Sequence, residues 1–584
     1  MLDLKTRWSD NVGEIPFPEY PRPQYQRDNY MILNGTWEYA ICDTDQMPTT
    51  YDGEILVPFS PECLLSGVKK MLMPDQFLWY KRQFVLEEGF NKGRVFLHFG
   101  AVDQYAQVYL NGNLVGENLG GYYPFTFEIT DYLQENNELI VKVIDKTDTA
   151  YHDFGKQKLT RGGIWYSAQS GIWQTVWLES TPKDYLEKVK ITPSLKRGEV
   201  NLQFFKKGEG DVLVEVSYNG KVLLNKTVSE SEVDLKIDEI YPWSPETPNL
   251  YDLKFTFNDD QISSYFALRD VEIKKDKKGR KRIFLNGAPY FMHGILDQGY
   301  WSDGMYTPPC EEAFEFDIKL CKEMGFNTIR KHIKVEPLRW YYLCDKIGML
   351  VWQDMVSGGG EYSWFFTVAN QFFWRRFRDG KIGYKRFGRL DERGRQEYYV
   401  NLKRMIEHLY NVPSIVLWTP FNEGWGQFDS KKAYKMVKEM DPTRFVDHAS
   451  GWHDQGIGDF KSRHIYFRPV RLFNDIGFKR RPYILTEYGG YGLKIPEHSF
   501  NPDDDFGYKA MESVEMLNRE CEILFNRDIV NKIKRGLCAD IYTQVSDVED
   551  ETNGLCTYDR EIVKFDKEMM QNIAQKIKKE YENL

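Results

Sequence analysis

Two apolar runs in this 584-residue chain end in a carboxylate with glycine close behind. One is Ser414-Ile415-Val416-Leu417-Trp418, which runs into Thr419-Pro420-Phe421-Asn422-Glu423-Gly424-Trp425-Gly426. The other is Tyr483-Ile484-Leu485-Thr486, which runs into Glu487-Tyr488-Gly489-Gly490. Glycine adopts backbone angles closed to other residues and lets a ligand approach closely. A pair of carboxylates facing one sugar ring suits glycoside hydrolysis: one, protonated, donates to the leaving oxygen, while the other, ionised, attacks or stabilises the anomeric carbon. A separation of about 5–5.5 Å gives retention of configuration and about 6.5–9.5 Å gives inversion. Taken singly, either glutamate could equally cap a loop or pair with an arginine. Both together, with Asn422 beside one of them, point to chemistry.

Such a pair needs a frame that carries strand ends from distant parts of the chain to one place. After about residue 271 the sequence alternates strand, loop and helix. Apolar strand-like runs fall at 290–296, 327–330, 349–352, 414–418, 444–448, 462–466, 483–486 and 541–545, with helices expected at 311–324, 337–347 and 390–410. In the first helix Phe314, Ile318, Cys321 and Met324 recur at helical spacing and define an inward face. Eight strands in about 310 residues predict a C-terminal (β/α)8 TIM barrel over 271–584, whose reactive residues lie at the carboxyl ends of the strands. Residues 1–181 read instead as strands joined by turns, with Asn111-Gly112 marking a tight hairpin, and predict an antiparallel β-sandwich. The shorter two-residue rhythm of 182–270 predicts an immunoglobulin-like β-sandwich, with Tyr241-Pro242-Trp243-Ser244-Pro245 as a turn inside it.

Composition narrows the alternatives. Hydrophobic residues at 42% and charged residues at 28% are those of packed globular protein. With 77 basic against 87 acidic residues the net charge is −10, so no nucleic-acid partner is expected, and the basic run at 274–282 reads as a solvated hairpin at a domain boundary. No stretch approaches the roughly 20 apolar residues of a membrane span. The eight cysteines are scattered without a CxxC pair, which predicts free thiols and a cytoplasmic location. No HExxH or EF-hand pattern occurs, and neither a metal nor another cofactor is called for.

Several further segments resemble glycoside hydrolase family 2 across nearly the whole chain. They are Phe99-Gly100-Ala101-Val102-Asp103 through Val108-Tyr109-Leu110-Asn111-Gly112, then Gly120-Gly121-Tyr122-Tyr123-Pro124-Phe125, Ser170-Gly171-Ile172-Trp173-Gln174-Thr175-Val176-Trp177-Leu178-Glu179, and Phe284-Leu285-Asn286-Gly287. The resemblance implies the same domain order, with the first sandwich a sugar-binding-type jelly roll, and makes Glu423 the acid/base and Glu487 the nucleophile of a retaining exo-β-glycosidase. It also implies that Asn422 bonds the sugar 2-hydroxyl and that Tyr466 hydrogen-bonds the nucleophile. Arg330, at the end of the second strand, would orient the nucleophile and hold its pKa low. The family's Arg-x-x-His is shortened here to Arg330-Lys331-His332, so Lys334 stands as an alternative to His332 for sugar binding. Asp297 and His464 are further hydroxyl-binding candidates, His464 being equally readable as a packed core residue. Trp452, Trp425 and Trp301 are candidate platforms for a sugar face, each equally readable as core.

Three expectations remain. The glycine run Ser357-Gly358-Gly359-Gly360-Glu361-Tyr362 reads as a mobile loop or a point of close substrate approach. Family members cleave β-galactosides, β-glucuronides and β-mannosides. In the corresponding stretch here, Glu551-Thr552-Asn553-Gly554-Leu555-Cys556-Thr557-Tyr558, the Asn-x-Lys of the glucuronide specialists is absent, and the acidic loop Asp547-Val548-Glu549-Asp550-Glu551 is expected to repel a carboxylate, so a neutral sugar, β-galactoside first, is expected. The rival of another class is a noncatalytic carbohydrate-binding protein; the β modules would in either case shape the rim, and a homo-oligomer is open.

Overall fold

The computed structural model describes residues 3–369, 377–472 and 481–584. The N-terminal module is a sandwich of a six-stranded antiparallel sheet and a four-stranded one. The strand Arg94–Phe99 shows why it forms: Val95, Leu97 and Phe99 point inward at every second position and are fully buried. At the expected hairpin, Tyr105–Leu110 turns into Asn113–Leu119 through Asn111 (φ 50°) and Gly112 (φ 78°), the two positive angles a tight two-residue turn needs.

Seven strands between Tyr185 and Phe266 form the immunoglobulin-like sandwich, in sheets of three and four. The proline-rich segment read as a turn does more than turn the chain. Trp243 is fully buried, and its indole N–H donates to the carbonyl of Asp345 in the barrel at 2.8 Å, pinning this sandwich beneath the barrel. The basic hairpin pairs Val271–Lys275 with Lys281–Leu285 at that boundary. Arg282 departs from the solvated reading: it is buried and donates to Asp276 and to the carbonyls of Ile533 and Leu537.

Eight of the remaining strands form one parallel sheet. In chain order these are β1 (Met292–Asp297), β2 (Thr328–Lys331), β3 (Leu350–Asp354), β4 (Ile415–Thr419), β5 (Phe445–Val446), β6 (Lys461–Ile465), β7 (Tyr483–Gly489) and β8 (Leu537–Thr543). Their spatial order is 5-4-3-2-1-8-7-6, and Asp459 closes the curl by bonding the backbone of Val446 just ahead of β6. Helices α1 (Glu311–Glu323), α2 (Leu338–Ile347), α3 (Glu392–Leu409), α4 (Ser430–Met440), α5 (Val514–Leu524) and α6 (Lys567–Glu582) complete the (β/α)8 barrel. The expected inward face of α1 is buried. Asp391, Ser513 and Asp566 cap α3, α5 and α6 through backbone N–H groups of the first turn.

Two differences from the sequence reading have plain causes. β8 begins at Leu537, earlier than expected, because the charged Asp540 interrupts its apolar run; inside the barrel that carboxylate is bonded by His293 (3.0 Å) and Tyr488 (2.6 Å). The glycine run after β3 admits the chain's own backbone rather than a substrate. Gly358 bridges to Asp153 of the N-terminal module, and the N–H groups of Phe154 and Gly155 donate to the Ser357 carbonyl. The long insertion between β3 and β4 includes 370–376, which lie outside the described residues. No described helix is long and apolar enough to cross a membrane, and all eight cysteines are free.

Candidate active site

β4 and β7 deliver their glutamates to the same mouth. β7 runs straight through Glu487, whereas Glu423 lies just past β4 with φ 51°, its N–H held by the Ser450 carbonyl at 2.9 Å and Gly424 following at φ 85°. The positive angle turns the Glu423 side chain out of the strand direction and toward β6. There His464 Nδ1 meets Glu423 Oε1 at 2.6 Å and Glu487 Oε2 at 3.4 Å. One carboxylate oxygen from each glutamate and a ring nitrogen of His464 all lie within 4.8 Å of one another. So close an approach is short of the gap of about 6.5–9.5 Å for inversion and is on the side of double displacement.

The two acids are held differently. Glu487 Oε1 accepts from Arg330 Nη1 at 3.0 Å and Oε2 from the Tyr466 hydroxyl at 2.5 Å, while Tyr466 lies flat on Tyr508 with ring centres 3.6 Å apart. Among the described residues no lysine or arginine lies within ion-pair distance of Glu423, whose near partner is the His464 imidazole. Burial pushes its pKa up to about 8, opposed by the charges of Lys156 and Arg330 and reinforced by Glu551. Burial also raises Glu487; His464 and Arg330 oppose that and Glu423 adds to it. The sequence reading had Arg330 holding the nucleophile low, and here the net direction is upward. The reason is burial, which outweighs the opposing charges; Arg330 moreover divides its guanidinium, with Nε bonding Asp354, Nη2 bonding Asn422 Oδ1 at 2.8 Å, and Nη1 serving both Glu487 and the Thr486 carbonyl.

The other expected residues divide into those in the cluster and those spent elsewhere. Asn422 is held by Arg330 and keeps its amide Nδ2 unbonded. Trp452 packs edge-on to His464 at 6.2 Å with its indole nitrogen unbonded. His332 is tied to Asp354 at 2.8 Å, and burial drives it down to about 3, so it stands neutral beside the cluster. Asp297 is consumed by Lys331 Nζ at 2.5 Å and by the Gly299 N–H. Lys334 is consumed by Glu336 and by the carbonyls of Gly299 and Tyr306. Trp301 is core: it packs against Trp8 and Phe314, with the Arg560 guanidinium 4.0 Å above its ring. Trp425 lines the mouth against Trp165, with ring centres 5.0 Å apart.

The acidic loop after β8 is also spent. Asp547 pairs with Lys564 at 2.6 Å, Asp550 with Arg161 at 2.7 Å, Glu549 accepts the Ser167 N–H, and Glu551 is bonded by Tyr166 and Asn553. The expected field of repulsion is largely internal bonding to the N-terminal module. Sequence reasoning missed Asp354, Ser450, Tyr508 and Lys156. Asp354 had a signal as the acid ending β3; Lys156, from the other module, had none.

A barrel with two buried carboxylates at the ends of its fourth and seventh strands, set behind two β-sandwiches, is the build of a multidomain glycoside hydrolase. Family models match the chain in the same order: "Glycosyl hydrolases family 2, sugar binding domain" over 70–182, "Glycosyl hydrolases family 2" over 184–269, and "Glycosyl hydrolases family 2, TIM barrel domain" over 276–579. The chain belongs to glycosyl hydrolase family 2. Among curated relatives, a β-galactosidase of Thermoanaerobacter pseudethanolicus is 26% identical over 392 residues, covering 62% of this chain and 46% of that protein. A putative β-glucuronidase of Formosa agariphila is 24% identical over 528 residues, covering 82% and 57%. The chain thus spans about half the length of the curated relatives it matches. The solved structure of a β-glucuronidase from an uncultured Clostridium species aligns over 97% of this chain and 100% of its own, with a TM-score of 0.72 at 17% identity, a likeness of fold.

Proposed function

We propose that the chain is a retaining exo-β-glycosidase in which Glu423 is the acid/base and Glu487 the nucleophile. The observation that carries this reading is the pair of carboxylates within 4.8 Å of each other, one raised to about 8 and hydrogen-bonded to a neutral ring, the other bonded by Arg330 and Tyr466. In the first step Glu423 gives its proton to the glycosidic oxygen as Glu487 bonds to the anomeric carbon, and the bond from that carbon to the leaving oxygen breaks. In the second, Glu423, now ionised, takes a proton from water; the oxygen displaces Glu487, and the sugar leaves with its configuration retained. The unbonded amide of Asn422 is placed to meet the 2-hydroxyl as the transition state forms.

For the sugar, a neutral β-galactoside is the reading of the sequence, and the β-galactosidases among the relatives support it. A uronide is the second reading. The relatives named as β-glucuronidases support it, and so does the pairing of the loop acids, which removes the reason given for excluding a carboxylate. The test is a panel of aryl β-galactoside, glucoside, mannoside, arabinoside, glucuronide and galacturonide, with proton NMR of the first-formed anomer. Release of the β-anomer from any of them is expected. Release of the α-anomer, or no turnover of any member, overturns the reading.

A further inference from the structure

Lys156 reaches the barrel mouth from the N-terminal module on a segment clamped from both sides. Its carbonyl accepts the Tyr166 N–H, and the next residue, Gln157, is bonded by Asp103, Tyr122 and the Gln169 N–H. On the barrel side His152 pairs with Glu397 at 2.8 Å, and Asp153 meets Asn401 and Arg389. Gly155, at φ 65°, is a tight and left-handed position: a Cβ there would stand 3.0–3.2 Å from the hydroxyls of Tyr122 and Tyr306 and the Ile333 carbonyl oxygen.

The ammonium this clamp presents is unpaired. Lys156 is 5% exposed, and its Nζ lies 5.4 Å from the centre of the Trp425 ring and 5.5 Å from that of Tyr166. Among the described residues no carboxylate lies within ion-pair distance of it and no hydrogen-bond acceptor serves it, although it is the strongest single charge acting on Glu423 and also acts on His332. The neighbouring cations are all committed: Arg330 to Asp354, Glu487 and Asn422, Lys331 and Lys334 to Glu336, Arg161 to Asp550, and Lys564 to Asp547. The stem is buried while the ammonium keeps contact with solvent at the mouth, between two aromatic faces and with no anion of the chain beside it, so it is open to an anion that enters there. Glu423 does not supply the anion, because it begins the reaction protonated and bonded to His464.

We propose that Lys156 is a specificity-determining residue that binds an anionic oxygen group, a uronic carboxylate or a sulfate ester, carried on the glycoside. This rests on the glycosidase reading and deepens it. The bound anion neutralises Lys156 and so removes the one nearby charge that most opposes the protonated form of Glu423. Recognition of the sugar and readiness of the acid are thereby coupled through a residue of the other domain.

The experiment compares wild type, Lys156→Met and Lys156→Arg on aryl β-galactoside, β-galacturonide, β-glucuronide and 6-sulfo-β-galactoside. It adds calorimetric binding of free galacturonate, galactose 6-sulfate and galactose. The expected result is that wild type favours a charged member, and that Lys156→Met lowers kcat/KM on it by about 10–100-fold more than on the galactoside, the loss of one hydrogen bond to a charged group, with Lys156→Arg recovering part. The uronide and sulfate arms tell the two anion sources apart. Equal losses on charged and neutral substrates, or a wild type that cleaves the galactoside and no charged member, overturns the proposal. If no substrate turns over but galacturonate or the sulfate binds and Lys156→Met abolishes that binding, the glycosidase reading fails and the anion site stands. Equal binding of charged and neutral sugars by wild type and variant overturns the anion site itself.

Discussion

His464 Nδ1 stands 2.6 Å from Glu423, while Nε2 of the same ring stands 3.0 Å from the Ser450 hydroxyl, which in turn donates to Thr486 Oγ1 at 2.8 Å. Burial drives His464 down to about 4 and Glu423 up to about 8. Between those values the ring is neutral and the carboxyl protonated, so Glu423 donates to Nδ1 and Nε2 donates to Ser450. The direction of every bond in this relay is then fixed, and the acid's proton lies in the bond to His464.

That arrangement sets the pH dependence. The first step needs Glu423 protonated, so kcat/KM falls as pH rises through about 8. It also needs Glu487 ionised, so the rate falls as pH drops through a nucleophile pKa lying above the ordinary glutamate value. A bell-shaped profile is expected on an unactivated glycoside, and Glu423→Gln should lack the alkaline limb. An alkaline limb that persists unchanged in Glu423→Gln assigns it to another group.

The two carboxylates should fail differently. Glu487→Gln removes the attacking oxygen and should abolish turnover of every substrate. Glu423→Ala should cost about 10²–10⁴-fold on a glycoside with a poor leaving group and far less on an activated aryl glycoside, whose departure needs no proton. Steady-state rates on the two substrate types check this, and equal losses on both would contradict the role of Glu423.

These roles were legible because parallel barrel strands are buried on both faces and read as apolar runs, which leaves a carboxylate at the run's end conspicuous. The family resemblance supplied the separate roles of the two glutamates, Asn422 and Arg330, while the placing of Glu423 and Glu487 at strand ends came from that pattern. What joins them did not. His464 meets Glu423 only through the curl of the sheet, and a lone histidine within a strand carries no mark of that. The loop acids at 547–551 look like a surface field until Lys564, Arg161, Ser167 and Tyr166 are seen to bond them. The three glycines at 358–360 announce a close approach without naming the partner, which proves to be backbone from the N-terminal module.

Arg330 should be a residue of stability as well as of orientation. It is fully buried between Asp354 and Glu487, and Arg330→Met leaves both without their cation, at about 3–5 kcal/mol. Although burial pushes Asp354 up, Arg330 and His332 hold it below its ordinary value in the native protein, so its contribution is present at neutral pH and lost only as pH falls through that lowered pKa. In Arg330→Met the folded-state pKa rises, and stability is lost as pH increases. Thermal unfolding should therefore show the gap between variant and wild type widening from acid to neutral pH; a gap independent of pH would mean that packing alone is lost.

The glycine run tests whether docking of the N-terminal module positions the mouth. A Cβ on Gly358 would stand 2.2 Å from the His152 carbonyl oxygen and 2.5 Å from Asp153 Cα, both backbone, so Gly358→Ala must push the 152–156 segment away from the barrel. Overpacking of this kind costs about 1–3 kcal/mol, and displacing Lys156 and its neighbours should lower kcat/KM as well. Gly360 is the internal control: its Cβ would meet nothing nearer than the Gly388 carbonyl at 3.8 Å, an ordinary contact, so Gly360→Ala should leave unfolding temperature and rate near wild type. Measured side by side, a drop in Gly358→Ala alone places the effect at the inter-domain contact. Equal drops in both variants would trace it instead to lost backbone freedom in the loop.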